Sequence, residues 1–217
     1  VDLNQATGLD FIRQDNGDLL IGAMTRQRTV ERDPLVKAAN PLLPAVLRHV
    51  GHVTNRNRGT IGGSLANSDP AADYPAAVTG LGATIHTDKR DIAADDFFKD
   101  LFETALEEGE MITSVSFPIP EKAGYMKFPN PASRYCIVGV MVSQSGGNVR
   151  VGVTGAGAYA FRVPEMEAAL AANFAAESVA EISIPDADLN SDIHASSEYR
   201  AHLVTIMAKR AVAEAVG

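Results

Sequence analysis

The chain has little cysteine, no tryptophan and no long apolar run. Cys136 is the only cysteine in 217 residues, so the chain forms no internal disulfide and cannot ligate an iron–sulfur cluster alone. No apolar run reaches the roughly 18 residues that a membrane-spanning helix needs, and no signal-peptide pattern opens the sequence. We therefore expect a cytoplasmic protein without a membrane span.

Charge and histidine content exclude further classes. A formal net charge of -8 argues against a nucleic-acid partner, because binding to phosphates needs a basic face. The histidines lie singly or three positions apart, without a second ligand pair, so the sequence predicts no metal site. With 46% hydrophobic residues, the chain has the composition of one large or two small globular domains.

Local patterns predict an α+β fold. Asn16-Gly17 supplies the positive φ of a tight turn and indicates a hairpin over residues 11–22. Further strands are expected at 82–87, 91–94, 110–117, 135–144 and 148–155. Helices are expected at 26–33, from Pro34 onward, and at 41–47, 97–106, 164–172 and 198–216.

Two helix caps and one domain boundary complete this prediction. Thr25 is expected to cap the first helix, and Asp95 or Asp96 the helix at 97–106. The strand at 110–117 ends at Pro118, where a hydrogen-bonded ladder cannot continue. A boundary just beyond it gives domains at 1–120 and 121–217.

A glycine-rich stretch is the most informative feature of the sequence. Residues 57–64 are Asn-Arg-Gly-Thr-Ile-Gly-Gly-Ser, and Asp-Pro-Ala-Ala-Asp-Tyr-Pro follows at 69–75. Glycines permit positive φ and close backbone approach, and consecutive amides can form an anion-binding nest. Asp73 is expected at a helix start as a cap or first-turn acid. The residues alone fit a structural turn with a capped helix, or a diphosphate site at a helix N-terminus.

The full string closely resembles the second flavin loop of the FAD-binding subunits of molybdenum hydroxylases. This family includes the medium subunits of aerobic carbon monoxide dehydrogenases and the flavin domain of xanthine dehydrogenase. The string does not fit the dinucleotide-binding pattern, because it lacks the GxGxxG spacing. It does not fit the P-loop pattern either, because no Gly-Lys-Ser/Thr follows it. Residues 20–25, 127–135 and 196–203 also resemble family segments, in the correct order. The resemblance implies a larger FAD-binding subdomain, with a mixed or antiparallel sheet and helices, followed by a small antiparallel sheet packed by helices.

The resemblance also implies a set of cofactor-binding residues. The loop residues would contact the FAD diphosphate and ribityl chain: Thr60, Ile61, Gly62, Gly63 and Ser64. Asp73 would accept a hydrogen bond from a cofactor hydroxyl, and Val50 would lie beside the adenine or the flavin. The alternatives are a helix cap for Asp73 and ordinary core for Val50.

Three more residues match the family further along the chain. Ile112 would pack against the cofactor, Lys127 would stabilise the anionic reduced flavin ring, and Tyr135 would shield one flavin face. The alternatives are core positions for Ile112 and Tyr135 and a solvated strand lysine for Lys127. Arg56 and Arg58 flank the loop, where they could support phosphate charge or lie at the surface.

The implied function is electron transfer in a multi-subunit enzyme. A molybdopterin-binding large subunit would oxidise the substrate, a [2Fe-2S] small subunit would pass electrons on, and FAD would deliver them to an external acceptor. This chain would contain no catalytic residues of its own.

Nothing in residues 1–22 resembles the family's first flavin loop, and residues 1–3 resemble the strand after it, so we expect weak FAD binding by the chain alone. Two alternatives stay open: an interaction module without flavin, and another FAD oxidoreductase with the same flavin-binding fold.

Overall fold

The computed structural model describes residues 3–217 and contains three antiparallel sheets with helices packed on them. The strand expected at residues 1–3 lies outside the described residues at Val1 and Asp2, and Leu3 belongs to no strand. The α+β prediction is confirmed: every strand pairing in the described part of the chain is antiparallel.

The first sheet has five strands in the order β1-β2-β7-β3-β4. Their bounds are β1 Ile12–Asp15, β2 Asp18–Gly22, β3 Thr84–Thr87, β4 Asp91–Ala93 and β7 Ile112–Phe117. Asn16 and Gly17 both have positive φ, as the predicted hairpin turn requires. Val115 pairs with both Ile21 and Ile85, so one face of the sheet is a continuous apolar surface.

Six helices lie between β2 and β3 along the chain. They are α1 Gln27–Arg32, α2 Pro34–Ala39, α3 Leu42–His49, α4 Val53–Arg58, α5 Ile61–Asn67 and α6 Tyr74–Leu81. Asp33 caps α2 by accepting from the amides of Leu35 and Val36. The predicted cap of α1 by Thr25 is wrong. The buried hydroxyl of Thr25 bonds instead to the backbone amide and carbonyl of Phe11.

The helix expected at 97–106 is wrong. Only one turn forms, α7 Ala94–Phe97, and the two short strands β5 Phe98–Asp100 and β6 Glu103–Thr104 follow it. Phe97 and Phe98 are both buried where the turn passes into β5. Asp95 caps no helix; its carboxylate pairs instead with Arg150 and Arg162.

The second large sheet has the order β11-β10-β9-β8. Its strands are β8 Lys122–Pro129, β9 Cys136–Ser145, β10 Asn148–Thr154 and β11 Phe161–Arg162. The helices α8 Pro164–Ala172 and α9 Ser197–Val216 pack beside it, with one 3-10 turn at Ala176–Val179. These bounds agree with the predicted hairpin and helices. Strand β8 is not among the strands predicted from local patterns, and only its last residues fall in the segment 127–135 that resembles the family.

Helix α6 joins the two sheets, and all of its residues are buried. It approaches β10 closely: a Cβ at Gly152 would lie 2.6 Å from the backbone nitrogen of Gly80. The apolar core around the five-stranded sheet accordingly includes Tyr125 and Met141 from the other sheet. A second core lies between the four-stranded sheet and α8 and α9.

Candidate functional site

Asp73 lies at the start of α6 but does not cap it. Its side chain makes no hydrogen bond to the helix amides. Instead Oδ1 accepts from the hydroxyl of Tyr125 at 2.6 Å, and Oδ2 accepts from Nζ of Lys127 at 2.9 Å. Tyr125 and Lys127 are two positions apart on β8, so both side chains point to the same face. The cap interpretation of Asp73 is therefore wrong, and the carboxylate is held from the second sheet.

Lys127 is not a solvated strand lysine. Its side chain is 3% exposed, and Nζ also donates to the carbonyl of His49 at 3.1 Å. The ammonium group thus connects the end of α3 with the start of α6. Charged groups are rarely buried without a partner, and here the carboxylate of Asp73 supplies one.

The hydroxyl of Tyr125 is buried together with Asp73. Burial, and after it the negative charge of Asp73, raise the pKa of Tyr125 well above its usual range. Cys136 lies in contact with the same hydroxyl, and burial raises the pKa of its thiol as well. The ring of His49 packs edge-on against Tyr125, with 5.7 Å between the ring centroids. Partial burial lowers the pKa of His49 and outweighs the opposing charge of Asp73.

A cleft of about 220 Å³ opens beside this network. Several residues predicted for cofactor binding line it: Val50, Ser64, Asp73, Lys127 and Tyr135. Side chains that the sequence prediction did not include also line it: His52, Asn55, Asn67, Asp69, Tyr74 and Arg134. The structure therefore brings together residues from the ends of α3, α5 and α6 with residues of β8 and the turn that follows it.

Tyr135 stands at the edge of the cleft with 57% of its surface exposed, so it is not a core residue. A tight turn holds it there. The amide of Asn130 donates to the carbonyl of Tyr135, and Arg134 adopts φ 63°. The Asn130 side chain accepts from the amides of Ala132 and Ser133, which fixes the turn.

The glycine stretch forms the start of helix α5 and not an open turn. Thr60 is the cap, and its Oγ1 accepts from the amide of Gly63 at 3.1 Å. Gly62 and Gly63 are helical and are absent from the positive-φ residues, so of the two roles that the sequence allows these glycines, positive φ is not the one used. Gly62 is needed for close packing instead, because a Cβ there would lie 2.7 Å from the Cβ of Ala23.

The amides at the start of α5 already have acceptors. The amide of Ile61 donates to the carbonyl of Thr25 at 3.3 Å, and that of Gly62 to the carbonyl of Ala23 at 2.9 Å. With Gly63 bonded to Thr60, these three amides form no anion-binding nest in this structure. The residues Thr60, Ile61, Gly62 and Gly63 do not line the cleft, whereas Ser64, one turn further on, does.

Two other residues lie elsewhere than the sequence analysis proposed. Ile112 is buried in the core around the five-stranded sheet and does not line the cleft. Arg56 faces inward: Nε donates to Glu31 at 2.9 Å, and Nη1 donates to the carbonyl of Val50 at 2.8 Å. Arg56 therefore fixes the backbone of a cleft residue instead of presenting its charge at the glycine stretch.

The comparisons with known proteins agree on one family. The family described as "FAD binding domain in molybdopterin dehydrogenase" matches residues 1–120. The nicotine 6-hydroxylase medium subunit of Paenarthrobacter nicotinovorans is 33% identical over 99% of this chain and 81% of the relative. This chain belongs to that family. It is an FAD-binding oxidoreductase subunit of the molybdenum hydroxylase type.

Two solved structures share its fold. Quinoline 2-oxidoreductase from Pseudomonas putida 86 superimposes with a TM-score of 0.86 at 31% identity, covering 99% of this chain and 80% of that chain. Carbon monoxide dehydrogenase from Hydrogenophaga pseudoflava gives a TM-score of 0.85 at 28% identity, with the same coverage. No helix within residues 3–217 has the length and apolar character to cross a membrane.

The cleft of this flavoprotein chain suits part of an FAD molecule. Pockets that hold whole ligands typically enclose about 300–1,000 Å³, and the cleft encloses about 220 Å³. Its lining offers a buried carboxylate with free lone pairs, a half-exposed aromatic ring and the hydroxyl of Ser64, which suit a planar cofactor with several hydroxyl groups. The buried hydroxyl of Tyr74, next to Asp73, has no hydrogen-bond partner within residues 3–217.

Proposed function

We propose that FAD binds in this cleft, against Val50, Ser64, Asp73, Lys127 and Tyr135. The observation that carries the proposal is the buried Asp73–Lys127 pair, which opens onto the cleft beside the exposed ring of Tyr135. A charged pair that faces a cleft is typical of a functional site, whereas a merely structural pair gains little from lying there. The cofactor contacts of Thr60, Ile61, Gly62, Gly63 and Ile112 remain predictions from the family resemblance.

Each proposed contact has a physical role. Bound FAD supplies a carrier that accepts electrons from one centre and passes them to another. The Asp73 carboxylate accepts a hydrogen bond from a cofactor hydroxyl. The Lys127 ammonium places a fixed positive charge beside the flavin, which favours its anionic reduced form. Tyr135 covers one face of the ring and excludes water.

We also propose the assembly in which the chain works. The relative from Paenarthrobacter nicotinovorans is described as a medium subunit. The 217 residues contain one cysteine, which is buried and free, so an iron–sulfur cluster needs ligands from outside these residues. The proposal is therefore a complex with a molybdopterin-binding large subunit and a [2Fe-2S] small subunit, in which electrons pass through FAD to an external acceptor.

The same proposal includes a division into domains and a cellular location. The first is the division into domains at 1–120 and 121–217, which places one large sheet and one apolar core mainly in each domain. The second is a cytoplasmic location, which suits a chain whose single cysteine carries no disulfide.

Titration with FAD, followed by flavin fluorescence, tests the site. Tyr135→Leu should raise the dissociation constant about tenfold, because aromatic stacking on a base contributes on the order of 1–3 kcal/mol. Asp73→Ala should raise it by a similar factor. The matched control is Tyr159→Leu, at a half-exposed tyrosine that does not line this cleft.

The outcomes separate the alternatives. Unchanged affinity in both cleft variants would place the flavin elsewhere on the chain. If neither the wild-type chain nor its complex with accompanying subunits binds FAD, the interaction-module interpretation is the better one.

A further inference from the structure

The hydroxyl of Tyr125 is the second hydrogen-bond donor to Asp73, and the proposed function gives it no role. It lies 2.6 Å from Oδ1, while Lys127 holds Oδ2 at 2.9 Å. Both carboxylate oxygens therefore have one fixed protein donor each. A carboxylate can accept about four hydrogen bonds, so each oxygen keeps a lone pair for a ligand.

The two donors differ in what they constrain. The ammonium of Lys127 is a point charge with rotatable hydrogens on a flexible stem, so it attracts the carboxylate without fixing its plane. The phenol of Tyr125 is rigid, and 3% of the residue is exposed. The ring of His49 packs against it in a T-shaped contact, and its hydroxyl end touches Cys136.

Gly139 supports the same hydroxyl from the neighbouring strand. It pairs with Lys127 across β8 and β9. A Cβ at Gly139 would lie 2.6 Å from the hydroxyl oxygen of Tyr125 and 2.8 Å from the sulfur of Cys136. The space for the phenol thus exists only because this position has no side chain.

We propose that Tyr125 is a positioning residue for cofactor binding, which fixes the carboxylate of Asp73 in the orientation that presents its free lone pairs to the cleft. This proposal rests on the proposed function, because Asp73 is the group through which Tyr125 acts. Tyr125 does not line the cleft, so it would act on the cofactor only through Asp73. The buried hydroxyl would then serve binding as well as folding.

A double-mutant cycle on the complete protein, purified with any subunits that accompany it, tests the proposal. FAD is removed and titrated back, and its dissociation constant is measured for the wild type, Tyr125→Phe, Asp73→Ala and the double variant. We expect Tyr125→Phe to raise the dissociation constant roughly tenfold. In the Asp73→Ala background, the same change should alter it by less than about twofold, because the effects of two residues that act as one unit do not add.

Two further measurements exclude a purely structural role. Tyr159→Phe removes a hydroxyl far from Asp73 and should leave the dissociation constant unchanged. Gly139→Ala keeps the hydroxyl but displaces it, so it should weaken FAD binding as Tyr125→Phe does. If Asp73→Ala does not fold, Asp73→Ser, which also removes the carboxylate, replaces it in the cycle, and the non-additivity should persist.

Each outcome decides between interpretations. If Tyr125→Phe lowers the melting temperature but leaves FAD affinity unchanged, the hydroxyl is structural and the proposal is wrong. Equal losses of affinity in both backgrounds would mean that Tyr125 acts independently of Asp73, which also overturns it. If Asp73→Ala by itself leaves the affinity unchanged, the proposed function of the cleft fails first.

Discussion

Asp73 and Lys127 form an ion pair of 2.9 Å, with side chains that are 4% and 3% exposed. The pair joins α6, which packs between the two large sheets, to β8, the edge strand of the second sheet. It is consequently both a tertiary clamp and the inner wall of the cleft. Changes at the pair should therefore affect both stability and cofactor binding.

Replacing Lys127 by Met should destabilise the fold strongly. The change leaves the carboxylate of Asp73 buried without its cation, and removing one partner of a buried ion pair typically costs about 3–5 kcal/mol. The free energy of unfolding is measured by urea denaturation. Lys37→Met, at an exposed position on α2, serves as control and should change it by less than about 0.5 kcal/mol. Equal effects of the two changes would contradict the burial of the pair.

Gly62 and Gly63 should respond differently to alanine. At Gly62 the new Cβ would meet backbone and side-chain atoms of Ala23 at 2.7–2.9 Å, and such overpacking typically costs about 1–3 kcal/mol. At Gly63 the Cβ would meet only the Oγ1 of Thr60 at 2.9 Å. There the gain in helix propensity, about 1 kcal/mol, offsets much of the disturbed cap.

Thermal unfolding of the two glycine variants checks this order. Gly62→Ala should lower the melting temperature clearly, and Gly63→Ala should lower it little. The reverse order would mean that the helix starts differently from the structure described above.

Tyr125→Phe should partly rescue the stability of Gly139→Ala. The single change to alanine forces a Cβ to within 2.6 Å of the phenol oxygen and should cost about 1–3 kcal/mol. Removing that oxygen relieves the contact, although the one to Cys136 at 2.8 Å remains. Urea unfolding of both single variants and the double variant measures the coupling. Strictly additive losses would show that the two groups do not touch.

The pH dependence of stability should report on Glu110. The guanidinium of Arg90, which bonds both carboxylate oxygens at 3.0 Å, is the largest cause that lowers the pKa of Glu110 to about 2. A carboxyl group with a depressed pKa stabilises the folded state above its unfolded pKa of about 4.5. That contribution is lost as the pH falls from 4.5 towards 2.

Melting temperatures from pH 7 to pH 2 test this dependence. Glu110→Gln should melt below the wild type at pH 7, and the difference should shrink as the pH falls below 4.5. Glu108→Gln, at a neighbouring exposed glutamate, should show no such convergence. A difference that stays constant down to pH 2 would contradict the role of the ionised carboxylate.

Most of the secondary structure could be predicted because its signals are local. Asn16-Gly17 specifies a hairpin turn, Pro34 starts α2, and the apolar spacing of residues 198–216 specifies α9. The failures occurred where a distant partner competed. Thr25 bonds to Phe11 instead of to α1, and Asp95 pairs with Arg150 and Arg162 instead of capping a helix.

The family, the α+β class and the candidate residues around the glycine stretch follow from the amino-acid sequence. Order along the chain is enough for these, because a motif is recognised by neighbours a few positions apart. Which of those residues form the cleft depends on the folded arrangement. Asp73 received its partners from β8, while the amides of the glycine stretch received theirs from Ala23 and Thr25. A buried polar group must find a hydrogen-bond partner wherever the fold brings one close, and that distance is not encoded in local sequence.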